Sequence, residues 1–173
     1  MTTTTAAAAP SAAVPTQQVA GMRWLASGTR DPEATWRVWA RGDAALIRAG
    51  RGFAVIRAPE LVGRTAFSEL RQQGLGLIGP VLVNHPLDAV EFFVPIAPAV
   101  WPGLDAVRLD GGRQSRRMVR CPPLADRADG LDWLHPPRAL AGHPAVLTDP
   151  HRLAAALTLA RARLRQAGYP VAS

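Results

Sequence analysis

A chain of 173 residues with 48% hydrophobic content has the length and apolar mass for one domain with its own core. Aromatic residues make up only 6%, so alanine, valine and leucine must supply most of that core. The single cysteine, Cys121, excludes an intramolecular disulfide, and no apolar run reaches the ~20 residues a membrane-crossing helix needs. The net charge is +7 and the isoelectric point about 11.4, which points to an anionic partner such as nucleic acid. All 20 basic residues are arginine, in a chain rich in Ala, Gly and Pro. A high-GC bacterial genome produces that composition, so part of the positive charge reflects codon usage.

The opening "MTTTTAAAAPSAAVPTQQ" has neither the basic start nor the apolar centre of a signal peptide. It is low-complexity Thr/Ala/Pro sequence that buries too little surface to offset its ordering entropy. Residues 1–20 are therefore expected to be a disordered tail, 21–168 a single cytoplasmic domain and 169–173 a short end. In "TRDPEATWRVWARGD", Asp31 or Thr29 can cap a helix that Pro32 opens and Glu33 favours electrostatically. Trp36 and Trp39 fall on one face of it and read as core anchors. "RAGRG" is a turn, and "FAVI" a buried strand that exits at Arg57. "ELVGRTAFSELRQQG" is a helix with Leu61, Val62, Ala66, Phe67 and Leu70 as its apolar stripe and Gly74 as its stop.

"LGLIGPVLV", "VEFFV", "AVRL" and "RMVRC" read as strands, the last two separated by the polar turn "DGGRQS". "CPPLADRADGLDWLHPP" is a long loop with a short strand near Trp133. A final helix is capped by Asp149, opened by Pro150 and striped with Leu153, Leu157, Ala160 and Leu164, and Gly168 ends it. The order is helix, strand, helix, several short strands, loop, helix. That mixture predicts an α+β fold with a mostly antiparallel sheet.

Four of these segments, in order, resemble the amino-terminal domain of bifunctional DNA primase-polymerases, in the archaeo-eukaryotic primase superfamily. "DPEATWRVW" is similar to that family's D-P-x-x-x-x-x-W-W helix, and "DAALIRAGRGFAVIRAP" to its D-A-N-I-G, T-G-x-G and acid-ended strand. "VEFFVPIAP" and "VRCPPLADRADGLDWLHPP" resemble two later segments, so the likeness spans roughly Trp24 to Pro137. The resemblance implies a primase-polymerase-like domain, trimmed at its amino end, and nucleotidyl-transfer chemistry. In that chemistry strand acids hold divalent metal ions, and a motif histidine contacts the incoming nucleotide's phosphates.

Carried over, the strand acids fall on Arg57 and Pro59 and the histidine on Val90; the third acid is Asp105 or Asp110. Hard divalent cations need anionic oxygen ligands, and an arginine in that place opposes them. Arg57 is expected to contact a phosphate in place of the lost cation, or to point into solvent or pair with Glu60 or Asp110. Glu60, Glu91, His85 and Asp110 together offer the parts of a rearranged metal site. Strand alternation, however, turns Glu91 to the face opposite Val90.

Arg113, Arg116, Arg117 and Arg120 form an acid-free cluster, with Arg116 and Arg120 sharing a strand face with Met118. They suit a phosphate backbone, with Trp101 or Trp133 stacking on bases, or else a charged strand edge. Arg161, Arg163 and Arg165 read as a solvated helix face, Cys121 as a small core residue, and His135, His143 and His151 as unconnected. Three functions follow. The first is a catalytically inactive primase-polymerase-like module that binds single- or double-stranded DNA or a nucleotide through Arg57 and the 113–120 arginines. The second is a protein-interaction module without nucleic acid. The third is an active polymerase with a rearranged site, and only this reading calls for Mg²⁺.

Overall fold

The computed structural model describes residues 15–74, 77–96, 118–124 and 127–171, and the backbone of 107–109. Within them the chain is α+β, with helices α1 (Thr16–Ser27), α2 (Pro32–Ala40), α3 (Glu60–Gln72) and α4 (Pro150–Gln166). The strands are β1 (Ala45–Arg48), β2 (Ala54–Pro59), β3 (Val81–Asn84), β4 (Ala89–Val94), β5 (Val107–Leu109), β6 (Met118–Cys121) and β7 (Leu131–His135). A five-stranded sheet runs β5-β2-β4-β3-β7, and β1 and β6 form a separate pair. Every pairing is antiparallel. No described helix is long and apolar enough to cross a membrane.

The predicted caps are present. Asp31 accepts a hydrogen bond from the Ala34 amide at 2.9 Å, and Asp149 one from Arg152 at 2.9 Å. The stripe of α4 is buried as its spacing dictates: Leu153, Leu157, Ala160 and Leu164 all face inward. On α3 the stripe shifts, so that Val62, Ala66 and Leu70 are buried while Leu61 is exposed.

One correction concerns the amino end. Thr16–Ala20, assigned from sequence to a disordered tail, lies in α1. Met22 and Leu25 are three apart and both buried, which gives this helix an inner face. The Ala139 amide donates to the Gln17 carbonyl at 3.0 Å, and Gly21 packs so closely that an added Cβ would lie 2.3 Å from the Pro137 oxygen. Tertiary contact thus orders residues whose composition alone argued for disorder. A second correction is Trp36. It packs edge-on against Trp39 at 5.2 Å but stays 36% exposed, so only Trp39 anchors the core.

The five-stranded sheet separates two cores. On one face Ile56, Ala58, Val83, Val90 and Phe92 meet α3 and α4. On the other, Val55, Leu82, Phe93 and Leu131 meet α1, α2 and the β1–β6 pair. A chain of rings, Trp24, Phe53, Phe93 and Trp133, with centroids 5.5, 4.9 and 5.9 Å apart, runs through this second core. Trp39 Nε1 donates to the Cys121 carbonyl at 2.9 Å and ties α2 to β6. Cys121 itself is buried, as expected of a small core residue.

At Gly63, α3 lies close against β4. A Cβ on Gly63 would fall 2.5 Å from the Val90 Cβ. Gly63→Ala should therefore force the helix off the sheet and lower stability by about 1–3 kcal/mol, despite alanine's better helix propensity. Chemical denaturation checks this; an unchanged or raised midpoint would contradict the packing described.

Candidate functional site

Two of the residues that sequence reasoning singled out, Arg57 and Glu91, meet on the second face of the large sheet. Antiparallel pairing sets Arg57 of β2 directly opposite Glu91 of β4. Side chains at such paired positions stand on the same face. Arg57 Nε and Nη2 donate to Glu91 Oε1 at 2.9 and 2.6 Å. Asn84 of β3 approaches from the opposite side, its Nδ2 donating to the same oxygen at 3.3 Å. The Glu91 side chain is 1% exposed and that of Arg57 28%, so the carboxylate is buried while the guanidinium reaches the rim. Glu91 Oε2 is buried and has no hydrogen-bond partner among the described residues. The burial that surrounds Cys121, together with the Glu91 charge, pushes the Cys121 thiol well above its ordinary pKa.

This geometry revises the expected partners of Arg57. Glu60 is engaged elsewhere: Arg64 Nε donates to its Oε1 at 2.6 Å, and His85 Nδ1 lies 3.3 Å from its Oε2. The Arg64 hydrogen bond, with smaller contributions from the Arg64 and His85 charges, lowers the Glu60 pKa against the opposing effect of burial. Pro59 is exposed at the end of β2, where it precedes α3. Val90, the position carried over from the motif histidine, faces α3 in the helical core. It therefore lies across the sheet from Arg57, and its neighbour Glu91 is the residue that meets Arg57. Strand alternation gave that opposition in advance, but not the cross-strand register.

A divalent metal, which the resemblance implies, is a poor fit here. Two carboxylates close together would suit it, whereas among the described residues this face offers one carboxylate whose Oε1 already receives three hydrogen bonds, two of them from a fixed cation. Among the described residues no group of three or more His, Cys, Asp or Glu stands together in a way that could hold a metal ion. Asp105 and Asp110 fall outside the described residues.

Of the arginine cluster, only Arg120 is described. It shares the outward face of β6 with Met118, as alternation predicts, and forms an ion pair with Asp129. Arg113, Arg116, Arg117 and Trp101 lie outside the described residues. Trp133 is half-buried, packs on Phe93 at the edge of the core and donates to the Pro122 carbonyl at 3.1 Å. The α4 arginines are not a uniform solvated face. Arg161 is buried, and Arg163 pairs with the buried Glu69 of α3. Burial, with the Arg138 and Arg71 charges, depresses the pKa of His135 to about 4, so it is neutral at pH 7.

A second locus went unnoticed in the sequence. The outward face of the β1–β6 pair and the α1–α2 connection border a groove of about 480 Å³. Arg30, Arg48 and Arg51 line it together with Leu46 and Met118. None of the three arginines has an ion-pair partner among the described residues. The one signal available in advance was the alternation of "ALIR", whose pattern of buried and exposed residues turns Leu46 and Arg48 outward.

The buried pair makes a direct prediction. Removing one partner of a buried ion pair leaves the other charge uncompensated, at a cost of about 3–5 kcal/mol, whereas apolar replacement of both is often tolerated. Arg57→Met alone should lose stability in that range, and Arg57→Met with Glu91→Leu should recover most of it. A double-mutant cycle in urea measures this; additive losses would contradict a pairing role for Arg57. In comparisons with known proteins, no family model matches the chain, and neither a curated protein nor a solved structure matches it.

Proposed function

We propose that this chain is a nucleic-acid- or nucleotide-binding module, regulatory rather than enzymatic, on a primase-polymerase-like scaffold whose metal site has given way to an ion pair. The observation that carries the reading is Arg57 bound to the buried Glu91. At the strand end where the resemblance places metal-binding acids, the positive charge is supplied by the protein itself. A fixed guanidinium supplies charge and hydrogen bonds, but it cannot activate a primer hydroxyl as a metal-bound oxygen is activated. The chain keeps a net charge of +7, with Arg113, Arg116 and Arg117 in a stretch without acids and Arg30, Arg48 and Arg51 lining the β1–β6 groove. Binding without turnover is the reading that uses both facts.

The test pairs two measurements on one preparation. The protein should bind labelled oligonucleotide with an affinity that falls as salt rises, because phosphate contacts release counterions. Under the same binding conditions it should incorporate no labelled nucleotide with either Mg²⁺ or Mn²⁺. Metal-dependent incorporation by the purified chain would overturn the non-enzymatic part. Absence of binding at low salt would overturn the nucleic-acid part and favour a protein-interaction module.

A further inference from the structure

We propose that the groove on the outward face of the β1–β6 pair takes a single strand of nucleic acid, with Arg30, Arg48 and Arg51 on its phosphates. The proposal rests on the nucleic-acid reading above and gives it a location other than the strand end at Arg57. That end is neutralised, since Glu91 holds the Arg57 guanidinium. Arg120 is likewise engaged by Asp129. The groove differs in its charge balance. Its acid, Asp31, caps α2 through the Ala34 amide and lies 3.9 Å from Arg37, which leaves the three arginines uncompensated by any described carboxylate.

The elements around the groove hold these cations at separate points. Register sets Arg48 across from Met118 and Leu46 across from Arg120, so the floor alternates charged and apolar side chains. Arg51 comes from the tight turn between β1 and β2, where Gly50 and Gly52 have φ of +91° and +95°. Arg30 comes from the link between α1 and α2, beside Thr29, whose hydroxyl donates to the Ala26 carbonyl at 2.6 Å. The backbone that carries the cations is thus fixed by turns and caps on three sides.

The apolar part of the floor decides between one strand and two. Leu46 is 56% and Met118 41% exposed. A duplex stacks its base faces inward and presents phosphates, sugars and base edges to such a surface. A single strand has free base faces that can cover Leu46 and Met118 while its phosphates meet the guanidiniums. Guanidinium also pairs with phosphate through two donors in one plane, which suits the all-arginine composition.

The experiment is fluorescence anisotropy of a labelled oligo-dT against the full chain over a series of NaCl concentrations, repeated with Arg48→Ala/Arg51→Ala and with Arg48→Lys/Arg51→Lys. The alanine pair should weaken binding at least tenfold at low salt. It should also flatten the slope of log affinity against log salt by about 1.4, two contacts at about 0.7 each for single strands. The lysine pair should retain the wild-type slope. Both side chains are exposed, so the melting temperature should be unchanged and confirms folding. Wild-type affinity and slope in the alanine pair, with loss instead on Arg113→Ala/Arg116→Ala/Arg117→Ala, would overturn this location while leaving the proposed function standing. No binding by the wild-type chain at low salt would sink both. Tighter binding of a duplex of equal length, or equal displacement by poly-glutamate at matched charge, would overturn the single-strand assignment.

Discussion

A carboxylate buried in the central strand of a sheet is the constraint on which much of this structure depends. Glu91 sits on β4, with β2 on one side and β3 on the other, and it is closed off from solvent. Leaving such a charge without a partner is more costly than most single packing defects. Arg57 meets it from β2 and Asn84 from β3, so the same carboxylate oxygen joins three adjacent strands. Slipping either neighbour by one residue would turn its polar group into the helical core and strand Glu91. The pair thereby specifies register as well as neutralising charge. Glu91 Oε2, buried and without a described partner, marks where the arrangement is least satisfied.

The same constraint separates the chemistry of the two sheet faces. The face toward α3 and α4 is apolar along β2, β3 and β4, and it is close-packed where Gly63 meets Val90. The face toward α1, α2 and the β1–β6 pair carries the aromatic chain from Trp24 to Trp133 and, at one end, the Arg57–Glu91 pair. Arg57 is consequently part of the fold. The arginines proposed to meet a partner lie one layer further out, on the far side of β1 and β6.

Local chemistry was legible in the sequence. Asp31 with Pro32, and Asp149 with Pro150, marked helix starts because capping depends on residues three apart. The α4 stripe and the strands "FAVI" and "VEFFV" followed from periodicity. What the sequence did not disclose depends on contacts between distant segments. Arg57 and Glu91 are 34 residues apart, and only the register of β2 on β4 brings them together. The first part of α1, Thr16–Ala20, looked like tail because contacts that hold α1 come from Pro137 and Ala139, more than a hundred positions away. Arg163 read as solvated because its partner, Glu69, belongs to another helix. The groove was hidden for the same reason, its arginines being supplied by three separate turns and strands.

The division of labour among arginines is the centre of this account, and the Nε–H signals of arginine in a ¹H–¹⁵N spectrum test it directly. On titration with a short single-stranded oligonucleotide, the Arg48 and Arg51 signals should shift progressively. The Arg57 signal should stay in place, its proton held by Glu91 and slow to exchange. A spectrum in which Arg57 moves with the oligonucleotide while Arg48 and Arg51 do not would contradict the account. It would return the ligand to the strand end where the resemblance places the metal site.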